Sequence, residues 1–218
     1  MKLVWCPETA SEAYLDGVKS LSKKDLSGAD VAELISAMAG GWNAQLIVEA
    51  RAGCSDISTS LGLLAAARHT HGRYVCILPD EQSEADHVDA LRRAGAAEAE
   101  AAEVMVVDGE AEEAMRDLEG VDLMVVDGRR GDAGAILRAA RPGVRGMVVV
   151  RYGDGKRRGG AAALAAGMRV VRSAFLPIGK GVEVVHVGVG KGPSLGRGRR
   201  RWIRHVDEDT GEEHVFRR

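Results

Sequence analysis

Apolar residues alternate along the chain between two textures. Short unbroken runs occur at 45–49 (QLIVE), 73–78 (RYVCIL), 103–107 (EVMVV), 122–126 (DLMVV) and 145–150 (RGMVVV). Runs that are short and apolar at nearly every position predict strands covered on both faces, as in a parallel sheet. Between them, 57–68, 83–95, 110–118 and 132–141 have helical composition, and two more helical stretches, 7–21 and 30–40, precede the first strand. The second of these sets Val31, Leu34, Ile35 and Met38 on one face, a stripe suited to covering a sheet. Ser83, with Asp86 three positions on, approximates a capping box, and Gly95 supplies a helix stop; Pro142-Gly143 closes a later helix in the same way.

Five strand-helix repeats imply right-handed crossovers and a doubly wound α/β sheet. After the fifth strand, 159–168 reads as a helix, and 169–177 and 181–189 as two strands joined by the tight turn Pro177-Ile178-Gly179-Lys180. So short a connection forces an antiparallel pair. The expected fold is Rossmann-like: a mostly parallel seven-stranded sheet with a terminal antiparallel hairpin and helices on both faces. The chain divides into N-terminal helices (1–41), the α/β domain (42–189) and a basic linker with a C-terminal tail (190–218), where RRWIRHVDEDTGEEHVFRR reads as a small hairpin turning at Asp207 to Gly211.

Composition adds limits. Of 218 residues 45% are hydrophobic, yet only eight are aromatic, so the core must be built from Ala, Val, Leu, Ile and Met, and an aromatic stacking platform for single-stranded nucleic acid is disfavoured. The net charge of -2 conceals an asymmetry: residues 190–218 hold eight of the 30 basic residues and five of the 32 acids, leaving 22 against 27 in the body. Cys6, Cys54 and Cys76 are an odd set without metal-site spacing, which predicts reduced thiols. The absence of a membrane-length apolar run or a signal-like start gives the expectation of a cytoplasmic or nuclear protein with no membrane partner.

In an open α/β sheet, ligands bind beyond the carboxyl ends of the strands, near the switch point. Each of the first four strands is followed or ended there by an acid: Glu49, Asp80, Asp108 and Asp127. An acid past the second strand can hold a ribose diol, and a small-residue turn past the first lets a nucleoside approach. The same acids would serve equally well as caps of the helices that follow.

This ordered edge pattern resembles the class I S-adenosylmethionine-dependent methyltransferases, and among them the small O-methyltransferases of catechol and caffeoyl-coenzyme A type. The stretches that carry the resemblance are LIVEARAG (46–53), LPDE (78–81), VDGEA (107–111), VVDGRRGD (125–132) and LPIGKGVEVVHVG (176–188). The whole chain is also similar to a plant family of methyltransferase-like proteins. The resemblance implies S-adenosylmethionine as cofactor, with Glu49, Gly53 and Ser58 bordering its methionine part, Asp80 on the ribose, Asp108, Gly109 and Ala111 flanking the adenine, and Asp127 at the methyl-transfer site. It also exposes departures. The first glycine of the turn is replaced by Arg51, whose side chain could enter or pair with the cofactor carboxylate region, and the Asp-Asn pair that completes a metal site in the family is replaced by Arg151-Tyr152. One carboxylate beside an arginine does not hold a divalent cation. The expectation is therefore metal-independent methyl transfer to a small molecule, with Asp127 and Tyr152, and further along Asp154, as candidate bases. Arg129, Arg130 and Arg151 either make the rim positive or pair with the edge acids.

Two rival readings belong to other classes. One is a non-catalytic binding or regulatory module that retained the fold, with Arg51 filling the pocket. The other is a nucleic-acid-associated protein acting through residues 191–205, whose Lys191, Arg197, Arg199, Arg200, Arg201 and Arg204 include no acid among them. Homo-oligomers are compatible with either. GVGKGPS (188–194) lacks the spacing of a phosphate loop, and His69, His71, His205 and His214 read as helix-end or hairpin residues before they read as ligands.

Overall fold

The computed structural model describes residues 5–22, 28–53, 56–96, 103–106, 111–153, 168–190, 202–206 and 213–217, of which 103–106, 202–206 and 213–217 are described by their backbone. Two helices, α1 (Pro7–Ser22) and α2 (Ala29–Trp42), lead into β1 (Leu46–Ala50), α3 (Ser58–Thr70), β2 (Arg73–Leu78), α4 (Glu81–Arg93) and β3 (Glu103–Val106). There follow α5 (Ala111–Asp117), β4 (Glu119–Val121), β5 (Leu123–Asp127), α6 (Ala133–Ala139), β6 (Arg141–Pro142), β7 (Met147–Tyr152), β8 (Arg169–Leu176) and β9 (Val182–Gly188). The tail forms β10 (Trp202–Val206) and β11 (Glu213–Arg217).

Seven strands make one sheet in the order β3-β2-β1-β5-β7-β9-β8. β1, β2, β3, β5 and β7 run parallel, and β9 is antiparallel to both β7 and β8. The expected hairpin is present, with its second arm inserted between β7 and the edge strand β8. The apolar runs form strands because both faces are covered. Ile47, Cys76, Val125 and Val150 face one core with residues of α1, α2, α3 and α4, while Val48, Ile77, Met124 and Val149 face another with residues of α5 and α6. Because α3 and α4 lie on the first face and α5 and α6 on the second, the crossovers change sides between β1 and β5. That is the switch point, and a ligand crevice is expected at its carboxyl end.

The stripe on α2 packs as expected, Val31 and Ile35 inside and Leu34 and Met38 at the margin. Helix contacts are close: a Cβ at Gly62 would lie 2.7 Å from the Ala32 carbonyl oxygen, and one at Gly40 2.5 Å from that of Thr9. The cap of α4 differs from expectation. Asp80, not Ser83, is the N-cap, accepting a 2.7 Å hydrogen bond from the Ser83 N–H, because the helix begins two residues earlier and reverses the roles of the two residues. Gly95 ends it as expected, its N–H bonded to Arg92 O and that of Ala96 to Leu91 O. β4 and β6 pair in a separate parallel ladder, too short to have left a periodic signal. The helix expected at 159–168 lies, but for Met168, outside the described residues, as does the hairpin turn at 207–211.

Candidate functional site

The carboxyl ends of β1, β2, β5 and β7 carry a dense polar network. Glu49, next to the last residue of β1, is completely buried. Its carboxylate accepts hydrogen bonds from Thr59 Oγ1 (2.5 Å), Ser60 Oγ (2.6 Å), Tyr74 Oη (2.5 Å) and Arg51 Nη1 (3.2 Å). Burial alone would favour the neutral acid, but the Arg51 charge and the Ser60, Thr59 and Tyr74 hydroxyls outweigh it and hold the carboxyl below its ordinary value. Burial also opposes the charge on Arg51, and the adjacent Glu49 carboxylate more than restores it. The pair is ionised and buried.

Arg51 fills the turn that follows β1. Only 2% exposed, its guanidinium donates from Nε to Gly53 O (3.1 Å), from Nη1 to Glu49, Thr59 Oγ1 (3.3 Å) and Ser60 Oγ (2.9 Å), and from Nη2 to Asp56 O. It therefore pairs with the protein's own carboxylate and draws the turn's carbonyls inward. Arg130 closes the neighbouring crevice: its Nη1 donates to Arg51 O (2.7 Å) and Ile77 O (3.2 Å) at the ends of β1 and β2, and its other nitrogens bind Asp132.

Asp127 and Tyr152 stand opposite each other in the β5–β7 register. Asp127 is buried and held by Arg129, whose N–H (3.0 Å), Nε (2.9 Å) and Nη2 (2.5 Å) all donate to it. Against the cost of burial, these bonds keep its carboxyl below the ordinary value. Tyr152 Oη lies 3.3 Å from Thr59 Oγ1, and burial, followed by the charge of Glu49, pushes its phenol above the usual range. Neither group is tuned to accept a proton near neutrality. Arg129 thus pairs with an edge acid, as the pairing reading of these arginines expects, whereas Arg130 pairs with Asp132, outside the four edge acids.

Other expected site residues have diverse settings. Ser58 is buried at the start of α3, its N–H bonded to Asp56 Oδ1 (2.9 Å). Gly53 has open space beside it. Asp80 is an exposed cap at the far side of the edge, and Ala111 packs into the second core, so it backs the site instead of lining it. Asp108, Gly109, Cys54 and Asp154 lie outside the described residues. Cys76 lies in β2 facing the network, and burial pushes its thiol up to about 12. Among the described residues no three His, Cys, Asp or Glu side chains gather as a metal site.

Between these elements is a cavity of about 430 Å³ lined by Gly28, Asp30 and Val31 of the α2 start, Asp56, Ser58 and Thr59 of the α3 start, Arg129, Tyr152-Gly153 and the Gly179-Lys180-Gly181 turn. It brings together Ser58 and Tyr152, and Asp127 lies against its wall, its Oδ1 3.3 Å from where a Cβ of Gly153 would lie. Asp80 is not part of it. Sequence reasoning missed Asp30, Asp56, Thr59, Ser60, Tyr74 and Lys180. Of these, Lys180 had the clearest signal, because it sits at the tip of the predicted hairpin turn.

Comparison with known proteins bears on this geometry. A family model, "Protein of unknown function (DUF1442)", matches residues 1–218. None of the curated proteins matches the sequence. Among solved structures, a methyltransferase from Geobacter sulfurreducens superposes with a TM-score of 0.58 at 16% identity, covering 82% of this chain and 88% of its own. The SAH-bound Podospora anserina methyltransferase PaMTH1 gives 0.56 at 16% identity, over 85% and 90%. The O-methyltransferase TomG from Streptomyces achromogenes, in complex with SAM, gives 0.52 at 20% identity, over 86% and 92%. At these identities the likeness is one of fold: the chain is similar to methyltransferases in architecture.

Proposed function

This chain belongs to the DUF1442 family, and we propose that it is an S-adenosylmethionine-binding protein of methyltransferase fold, serving metal-independent methyl transfer to a small molecule. The observation that supports this most is the cavity at the ends of β5 and β7. Its lining of both signs, Asp30 and Asp56 with Lys180 and Arg129, together with Ser58 and Thr59, suits a ligand that is both sulfonium and amino acid. Ser58 and Lys180 would hold its carboxylate and the two aspartates would face its cationic centres; Asp80, outside the cavity, would take the ribose hydroxyls where the ligand extends along the sheet edge, with Asp108 and Gly109 toward the adenine. The bound cofactor supplies an electrophilic methyl group; the chain supplies alignment and a water-poor setting. Tyr152, which keeps its proton, donates a hydrogen bond toward the acceptor. Since neither Asp127 nor Tyr152 is a base at neutral pH, the acceptor should be one that arrives already deprotonated.

Calorimetric titration with S-adenosylmethionine and S-adenosylhomocysteine tests this reading. Binding is expected, weakened roughly tenfold or more by Ser58→Ala and by Asp80→Ala through loss of a hydrogen bond to a charged or polyhydroxyl group. No heat up to millimolar ligand would sink it. The burial of Arg51 favours a second reading, a binding module without catalysis, for which ligand would bind but no methyl transfer to any acceptor would be detected.

A further inference from the structure

We propose that Arg51 is an internal latch that competes with the ligand for the carboxyl end of β1. The inference rests on the cofactor reading above and concerns its control. In an open α/β sheet a ligand approaches the backbone most closely at the turn after the first strand, which is why small residues are useful there. Here that turn is built around a guanidinium. The side chain satisfies the buried Glu49 carboxylate and ties down both ends of the turn through Gly53 O and Asp56 O. The second of these carbonyls belongs to Asp56, which also lines the cavity and holds the Ser58 N–H. The latch therefore reaches the ligand cavity directly: with Arg51 engaged, Asp56 and the first turn of α3 are held against β1, and the approach to β1 is closed.

Such a device has a signature in apparent affinity. A ligand that needs the open turn binds with its intrinsic affinity reduced by the fraction of molecules in which the turn is open. Removing the latch should restore that fraction. Removing Arg51 alone would strand a buried carboxylate, so the informative variant discharges both partners, Arg51→Gly with Glu49→Gln, leaving the Thr59, Ser60 and Tyr74 hydroxyls to a neutral amide. A second variant, Arg51→Lys, keeps an ion pair with Glu49 but lacks the planar fork that reaches two carbonyls at once.

The test combines S-adenosylhomocysteine calorimetry with peptide-resolved hydrogen exchange over residues 51–60 in the ligand-free protein, using the full chain. The double variant is expected to bind roughly tenfold or more tightly than wild type and to exchange faster in the turn, with Arg51→Lys falling between them on both measures. If wild type and double variant bind with equal affinity, the latch is overturned and the cofactor reading stands. If exchange accelerates as expected but neither protein binds up to millimolar ligand, the cofactor reading falls and with it the latch's competition for that ligand. Unchanged exchange in both variants would also overturn the latch, whatever the calorimetry shows, and that readout remains informative if the double variant proves too unstable to titrate.

Discussion

Glu49 is the residue on which most of the interior polar chemistry converges, and its ionisation makes it a pH sensor of the fold. Its carboxyl titrates below its ordinary value in the native state, so the unfolded chain binds the proton more readily. The stability it contributes is therefore fully present above the unfolded carboxyl's value, about 4.3, and is lost as pH falls through and below it. Glu49→Gln should destabilise the protein by roughly 3–5 kcal/mol at neutral pH, because it leaves a buried arginine without its counter-charge. The deficit relative to wild type should narrow as pH falls toward 3 to 4. Urea unfolding followed at several pH values would check this; a deficit independent of pH would mean that folding does not depress the titration of the carboxyl, and one that widens toward acid would mean that the carboxyl is neutral in the native state. The sequence located this acid correctly at the end of a strand but gave no view of its partners. Thr59, Ser60 and Tyr74 reach it from α3 and β2, and nothing in their spacing announces a convergence that only the sheet register and the helix crossing create. Arg51 was legible as a departure in the turn. Its direction, inward to Glu49, was not.

At the scale of elements, packing distances separate the glycines that matter from those that do not. Gly62 brings α3 against the α2 backbone, where an added methyl would meet the Ala32 carbonyl at 2.7 Å, whereas Gly53, in the candidate site, has nothing within 4 Å of an added Cβ. Gly62→Ala should cost roughly 1–3 kcal/mol by overpacking a rigid helix contact, and Gly53→Ala should leave stability within about 0.5 kcal/mol of wild type. Thermal melts of the two variants test the assignment, and equal midpoints would contradict it. Element type was readable because continuous Val-rich runs and amphipathic stretches differ in period. The boundaries and caps were less so. Asp80 and Ser83 are three residues apart and each is a good cap, so only the true start of α4 decides which one caps the other's N–H. His69, read as a helix-end residue, indeed sits in the last turn of α3, but its Nε2 lies 2.8 Å from Asp16 Oδ2 of α1, a contact across helices that sequence separation conceals.

On the scale of the whole molecule, the chain places its charge in two separate constructions. The seven-stranded sheet ends at Gly188, and among the described residues β10 and β11 pair with each other in a ladder of their own. The basic run that follows the sheet and enters β10 carries six Lys or Arg from 191 to 205 without an acid. We propose that this run contacts nucleic acid through phosphates, independently of the site at the sheet edge. Six such contacts would give an affinity falling steeply with salt, with a log-log slope of up to about 0.9 per phosphate neutralised. A chain ending at residue 190 keeps every described strand of the main sheet and every described residue of the two cores, so its thermal midpoint and S-adenosylhomocysteine affinity should match those of the full chain. Its retention of a duplex or single-stranded oligonucleotide in a salt-titrated gel shift should disappear. If both proteins retard the oligonucleotide equally, the basic run is only a solvated connection. A large drop in the midpoint on truncation would show instead that the tail braces the α/β body.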